Sequence, residues 1–221
     1  MRLSVLRAFF IVSFMGVSAA CGPIQSQKVR YEWKPAEAGS ARQEKGDVAI
    51  EYLPNASLPS ELRVEIQACN QYGLPAVDPT TRAPVMERFN LASSDQVWVQ
   101  VAVTNNMKRS LRLFSAVPRM IDPAGMDYEP MSLSKVKSAA LGRRRCYNTA
   151  DAVRNLDNIR VLDEESTVPP GLTTRMWLVY SIRNQTQTGM WRVNFYDVPT
   201  KLDASEKPGN PENFEIKMQQ T

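Results

Sequence analysis

Strict alternation of apolar and polar residues is the feature that most constrains this chain. Residues 96–104, QVWVQVAVT, place Val97, Val99, Val101 and Val103 on one side of an extended backbone. Residues 62–69 do the same with Leu62, Val64, Ile66 and Ala68, and residues 48–52 repeat the pattern. A period of two does not fit a helix face, so these segments predict half-buried strands. Asn105-Asn106 supplies a turn, and 110–121 is another extended run broken by Pro118. Asp122-Pro123-Ala124-Gly125 reads as a turn after which 126–131 pairs back. Residues 158–162 predict a strand, and Val168-Pro169-Pro170-Gly171 a turn. The runs 174–182 and 190–198, joined by 184–189, read as a hairpin, with a final strand at 214–218. Residues 132–141 have helical composition, ended by Gly142, and 149–156 read as one or two further helical turns capped by Asn148 or Thr149. The sum is about nine short strands with one helical insertion. That pattern predicts an all-β protein, an immunoglobulin-like antiparallel β-sandwich in which each sheet has one buried and one solvated face.

The N-terminus predicts an address. Arg2 and Arg7 form a positive n-region, and 8–17 is a ten-residue apolar stretch, too short to span a bilayer. Ser18-Ala19-Ala20-Cys21 resembles a bacterial lipobox, with Ser18 where that pattern usually has Leu. The resemblance implies cleavage before Cys21 and its acylation, palmitate being one such chain; the alternative is an ordinary signal-peptidase cut after Ala20. Gly22 lacks the acidic character that marks inner-membrane retention, so an outer-membrane anchor facing the periplasm is expected. The resulting division is 1–20 signal peptide, 21–47 lipidated N-terminus and flexible tether, 48–199 sandwich, and 200–221 polar C-terminal tail.

The chain of 221 residues contains no histidine. Imidazole acid–base catalysis, Ser-His-Asp and Cys-His nucleophiles and His-ligated zinc are therefore excluded within it. Removing Arg2 and Arg7 from 27 cations leaves 25 against 23 acidic residues, a net +2. That balance, with an envelope address, predicts no nucleic-acid partner. Cys69 and Cys146 remain after processing, and in an oxidising compartment they are expected to form a disulfide, contributing about 4 kcal/mol in the loop-entropy picture. The alternative is two buried thiols.

Three segments together resemble the immunoglobulin-like, telokin-like domains of bacterial surface lipoproteins: VWVQVAVTNNMKRSL (97–111), MIDPAGMDYEP (120–130) and VPPGLTTRMWLVYSI (168–182). The shared theme is a strand ending in V-x-V-x-N, an Asp-x-x-Gly turn, and Pro-Gly before an alternating strand. The match covers under a third of the chain, and its motifs encode turns. The resemblance implies a non-catalytic domain of unassigned function; the helical insert at 132–157 departs from it.

The most distinctive candidate site is the cationic stretch Lys135, Lys137, Arg143, Arg144 and Arg145, with no acidic residue between Glu129 and Asp151. Such a cluster could contact anionic lipid, glycan or an acidic partner; the competing reading is a solvated insertion. Asp122, Asp127 and Glu129 offer oxygens to Ca²⁺ without EF-hand spacing. Met107, Met120, Met126 and Met131 offer thioethers to Cu(I), yet suit a core equally. Trp98, Trp177 and Trp191 read as core or sheet-face residues, with Trp177 and Trp191 paired across the expected hairpin. Asp163-Glu164-Glu165 reads as a solvated acidic loop rather than a hydrolase pair. No cofactor, metal or catalytic residue is assigned, and the chain is not expected to be an enzyme. The expected role is a non-catalytic binding or scaffolding module, an accessory of a multiprotein cell-envelope assembly with an envelope protein partner. The alternatives are a binder of anionic lipid or glycan through the basic insertion and a hydrolase without a recognisable motif.

Overall fold

A computed structural model of the chain describes residues 33–36, 41–54, 56–70, 72, 74–93, 95–113, 118–141, 154–163, 166–182, 188–202, 209 and 211–220. Four antiparallel strands form one sheet in the order β11 (Leu172–Ser181), β6 (Gln96–Asn105), β3 (Val48–Tyr52), β2 (Arg42–Lys45). Five form a second: β1 (Trp33–Pro35), β13 (Pro211–Gln220), β12 (Met190–Pro199), β8 (Arg119–Ile121), β9 (Asp127–Tyr128). Two ribbons accompany them, β4 (Arg63–Gln67) with β5 (Met86–Asn90) and β7 (Leu111–Arg112) with β10 (Thr167–Val168).

The expected alternation builds the interface between the sheets. Val97, Val99, Val101 and Val103 of β6 join Ile50, Leu178 and Tyr180 against Trp191, Val193, Phe195, Phe214, Ile216 and Met218. The chain is an all-β sandwich that carries a short helix, α1 (Leu133–Leu141).

The rule of one buried face per sheet fails at β11. Met176, Leu178 and Tyr180 enter the sandwich core, and Trp177 and Val179 on the opposite face enter a second core. Leu62, Val64 and Ile66, Val136 and Ala140 of α1, and Leu156, Ile159 and Val161 complete that second core. A nearly unbroken apolar run needs cover on both sides, and β4–β5, α1 and 156–161 form a third layer that supplies it. The 158–162 strand is corrected accordingly: Asn155–Asn158 is a 3₁₀ turn, after which Trp177 N–H donates to the Arg160 carbonyl (2.8 Å) and Leu162 N–H to the Trp177 carbonyl (2.9 Å). This segment lines the edge of β11.

The hairpin of 174–182 with 190–198 does not form. β11 pairs with β6 along ten residues, whereas β12 pairs with β13 and β8 in the other sheet. Each run buries its apolar face in the same core from opposite sides. Trp177 therefore meets Trp98 edge-to-face at 6.0 Å, while Trp191 meets Trp33 at 5.0 Å.

The domain limits move outward as well. The expected tether contains β1 and β2, and the expected tail contains β13, whose Phe214, Ile216 and Met218 are fully buried. These strands look polar because their other faces are solvated, and β2 is held to β3 by backbone pairing. The signal peptide, residues 1–20, and Cys21 lie outside the described residues.

The turn motifs act as braces. Asn105, fully buried, donates from Nδ2 to the carbonyls of Arg109 (2.7 Å) and Val168 (2.9 Å) and accepts Met107 N–H at Oδ1 (3.0 Å). Tyr180 donates its hydroxyl to the Pro118 carbonyl (3.1 Å), linking the two sheets. Gly171 adopts φ +66° in the Pro-Gly turn, a left-handed conformation suited to glycine. Asn105→Ala is expected to cost about 2–4 kcal/mol in urea unfolding, because buried partners lose their bonds. An alkaline transition is also expected. Burial raises the phenol of Tyr52 above its ordinary value and that of Tyr180 well above it. The folded state then keeps protons that the unfolded chain releases, so stability is intact below about pH 10 and falls as pH rises further. Absorbance at 295 nm should show these two phenols ionising only as the protein unfolds.

Candidate functional site

Two of the five residues of the expected basic site, Lys135 and Lys137, lie among the described residues. Ser132 precedes α1 and its Oγ accepts Lys135 N–H (3.4 Å), and the helix turns Val136 and Ala140 into the second core. That orientation leaves Lys135 exposed, whereas Lys137 pairs with Asp157 at the 3₁₀ turn. Arg143, Arg144 and Arg145 lie outside the described residues. Cys69 is disulfide-bonded; Cys146, like Cys21, lies outside the described residues.

The acidic and thioether groupings are engaged elsewhere. Asp122, buried, accepts Ala124 N–H (2.9 Å) and Met126 N–H (2.8 Å) at one oxygen and the Tyr128 hydroxyl (3.0 Å) at the other. Gly125 closes that turn at φ +87°. Asp127 and Glu129 both bind Arg119, at 2.8 and 2.9 Å, and Asp127 is the main cause of the raised guanidinium pKa. Met107 and Met120 sit in the first core, Met131 packs on the second and Met126 faces solvent. Asp163 accepts the Ser166 hydroxyl (2.8 Å) within its own turn. Among the described residues, no group of three or more Cys, Asp or Glu is placed to hold a metal, and no helix is long and apolar enough to cross a membrane.

A different surface stands out. Beyond the β4–β5 ladder the chain makes three passes that bond to one another. Ala68 N–H donates to the Val85 carbonyl (2.7 Å), Val85 N–H to Ala76 (3.1 Å) and Ala76 N–H to Ala68 (2.7 Å). Side chains close both turns of this arm. Asn70 Oδ1 accepts Tyr72 N–H (2.9 Å) and Leu74 N–H (3.0 Å), and Asp78 Oδ1 accepts Thr80 N–H (2.9 Å) and Thr81 N–H (2.7 Å). On this braced frame Tyr72 is 77% exposed, Leu74 56% and Met86 50%, with Val77 and Val85 also exposed. Five of the nine large hydrophobic residues exposed among the described residues thus fall within 72–86. Isolated exposed apolar residues are ordinary, whereas five within residues 72–86 are a concentration that sets this segment apart.

The sequence predicts a strand through Ala68 and a bridge at Cys69 but assigns nothing to residues 70–86 of the arm. Its apolar residues are interrupted by Gly73, Pro75, Asp78, Pro79 and Pro84, so they carry neither helical nor strand period. The usable signal was that interruption itself: apolar side chains among turn formers lack the continuous face that a core requires.

No protein-family model and no curated protein matches the chain. Among solved structures it is similar to the yjhA protein of Bacillus subtilis, at 12% identity and a TM-score of 0.40, covering 83% of this chain and 97% of that one. It is also similar to the B. subtilis protein ycdA, provisionally classed as a lipoprotein, at 11% identity and a TM-score of 0.35, covering 80% of this chain and 38% of that one. A functionally unknown protein of Listeria monocytogenes is 10% identical, with a TM-score of 0.39 and coverage of 81% and 80%.

The second turn of the arm has a pH signature. The backbone amides of Thr81 and Thr80 hold the Asp78 carboxyl below its usual value. A depressed folded-state pKa stabilises the turn above the ordinary carboxylate range, and the effect is lost as pH falls through the folded value. Amide resonances of Thr80 and Thr81 should hold their shifts through neutral pH and move together only on strong acidification. Asp78→Ala should abolish that acid transition.

Proposed function

We propose that this chain is a non-catalytic binding module of the bacterial cell envelope that contacts a protein partner through the arm at 68–86. Its carrying observation is the exposed Tyr72, Leu74, Val77, Val85 and Met86 on a hydrogen-bonded frame. Aromatic and Met side chains of this kind are enriched in protein interfaces. A braced frame also lowers the ordering cost of binding.

The address completes the reading. Residues 1–20 are removed, Cys21 is acylated, and a short polar segment leads from the outer membrane to β1, with the domain in the periplasm. Cys69 pairs with Cys146, which leaves Cys21 as the one thiol available for acylation. The non-catalytic assignment is supported by the engagement of Asp122, Asp127, Glu129 and Asp163 in turns and ion pairs. The pairing of Lys137 with Asp157 counts against an anionic-ligand site on α1.

The test is affinity purification from gently solubilised envelopes. A stoichiometric partner is expected with the native chain, and its recovery should fall at least tenfold in Tyr72→Ser/Leu74→Ser/Met86→Ser. Thermal unfolding of that variant should be nearly unchanged, since exposed side chains contribute little to stability. Cys21→Ala should release the protein from the membrane. Undiminished recovery of the partner by the folded triple variant would overturn the arm as its contact surface.

A further inference from the structure

We infer that the groove beneath β1 is a binding site for an extended peptide carrying an aromatic residue with proline two positions later, and that β1 is a built-in occupant that keeps it closed. The site lies apart from the arm and does not depend on it. Its backbone wall is the outer edge of β13, where Trp33 lies opposite Gln220, Lys34 opposite Gln219 and Pro35 opposite Met218. Ala36 N–H extends the pairing to the Lys217 carbonyl at 3.1 Å. The floor is Trp191 of β12, opposite Met218 of β13 and fully buried under the indole of Trp33, which meets it edge-to-face at 5.0 Å and 89°. Tyr128 stacks on Trp191 at 6.4 Å, and Tyr52, from the opposite sheet, donates its hydroxyl to the Trp33 carbonyl at 2.9 Å.

The seated strand reports what the groove accepts. Trp33 and Pro35 are half-buried on alternate positions, and Lys34 between them is exposed. This is strand addition, in which the backbone provides binding and alternate side-chain pockets provide selectivity.

β1 is separable from the body of the domain. It is three residues long, and nearby stretches of β13 are closed without it. The Glu215 N–H is accepted by Gln43 Oε1 (2.9 Å), and the Asn213 carbonyl accepts from Lys45 Nζ (2.5 Å). A short terminal edge strand opens at lower cost than a central ladder. While attached, it competes at an effective concentration on the order of millimolar, so a free peptide enters readily only when the latch is weakened.

The experiment uses the full-length chain and a fluorescent peptide of residues 31–37, YEWKPAE, read by anisotropy. Trp33→Ala is expected to bind this peptide at least tenfold more tightly than the native chain does, and a peptide with alanine in place of its tryptophan should not bind. Failure of a folded Trp33→Ala to bind, or equal binding of both peptides, overturns the site. A Trp33→Ala chain that cannot fold overturns it as well, because a latch must leave a folded body behind. Tyr52→Phe, which removes only one hydroxyl, should speed amide exchange at 217–220 relative to the rest of β13. Unchanged exchange there refutes the latch.

Discussion

β11 is buried on both faces, and this double burial organises the layers around it. Through Met176, Leu178 and Tyr180 it belongs to the sandwich, and through Trp177 and Val179 it belongs to the third layer. Its ten-residue ladder with β6 holds those two cores at a fixed spacing. Asn105 ties the end of β6 to the segment preceding β11, and Tyr180 reaches across the core to Pro118. The third layer exists because β11 requires cover, and the arm is the part of that layer that extends beyond what cover demands.

Several charged groups elsewhere on the described surface pair with one another. On the outer face of the five-stranded sheet, Arg192 and Lys217 both approach Glu215, while Arg119 holds Asp127 and Glu129. Exposed pairs of this kind add little stability, but they leave a wetted, internally neutralised face. Two strand edges are covered as well: 160–162 and Met131 bond along β11, and Gln43 and Lys45 cap part of β13. Covered edges guard against indiscriminate strand pairing. Against this background the clustered apolar side chains of the arm are the exception, and β1 is the shortest closure of a long strand.

The same contrast explains what could be read from the sequence. Local period and turn chemistry were legible: the valines of β6, the Asp122 turn, the Asn105 strand end and the helix at α1 all appear where their residues predict. Nonlocal pairing was not. Nothing local distinguishes two alternating runs that pair with each other from two that face each other across a core, so β11 and β12 read as a hairpin. Strands whose outer faces are solvated, such as β1, β2 and β13, resemble linkers until their partners are known. The basic insertion drew attention through composition alone, yet Lys137 has a specific acidic partner far away in sequence. The arm past Cys69 went unread because its order comes from interlocking backbone bonds and two side-chain-closed turns.

Site-specific photo-crosslinking in living cells reports whether a partner sits on the arm. A photoreactive residue would replace Tyr72, Leu74 or Met86 on the arm, and Arg192 or Lys217 on the outer sheet. One discrete crosslinked protein is expected from the arm positions and none from the sheet positions. Crosslinks that are absent from the arm, or equally strong from the outer sheet, would contradict the arm as the contact surface.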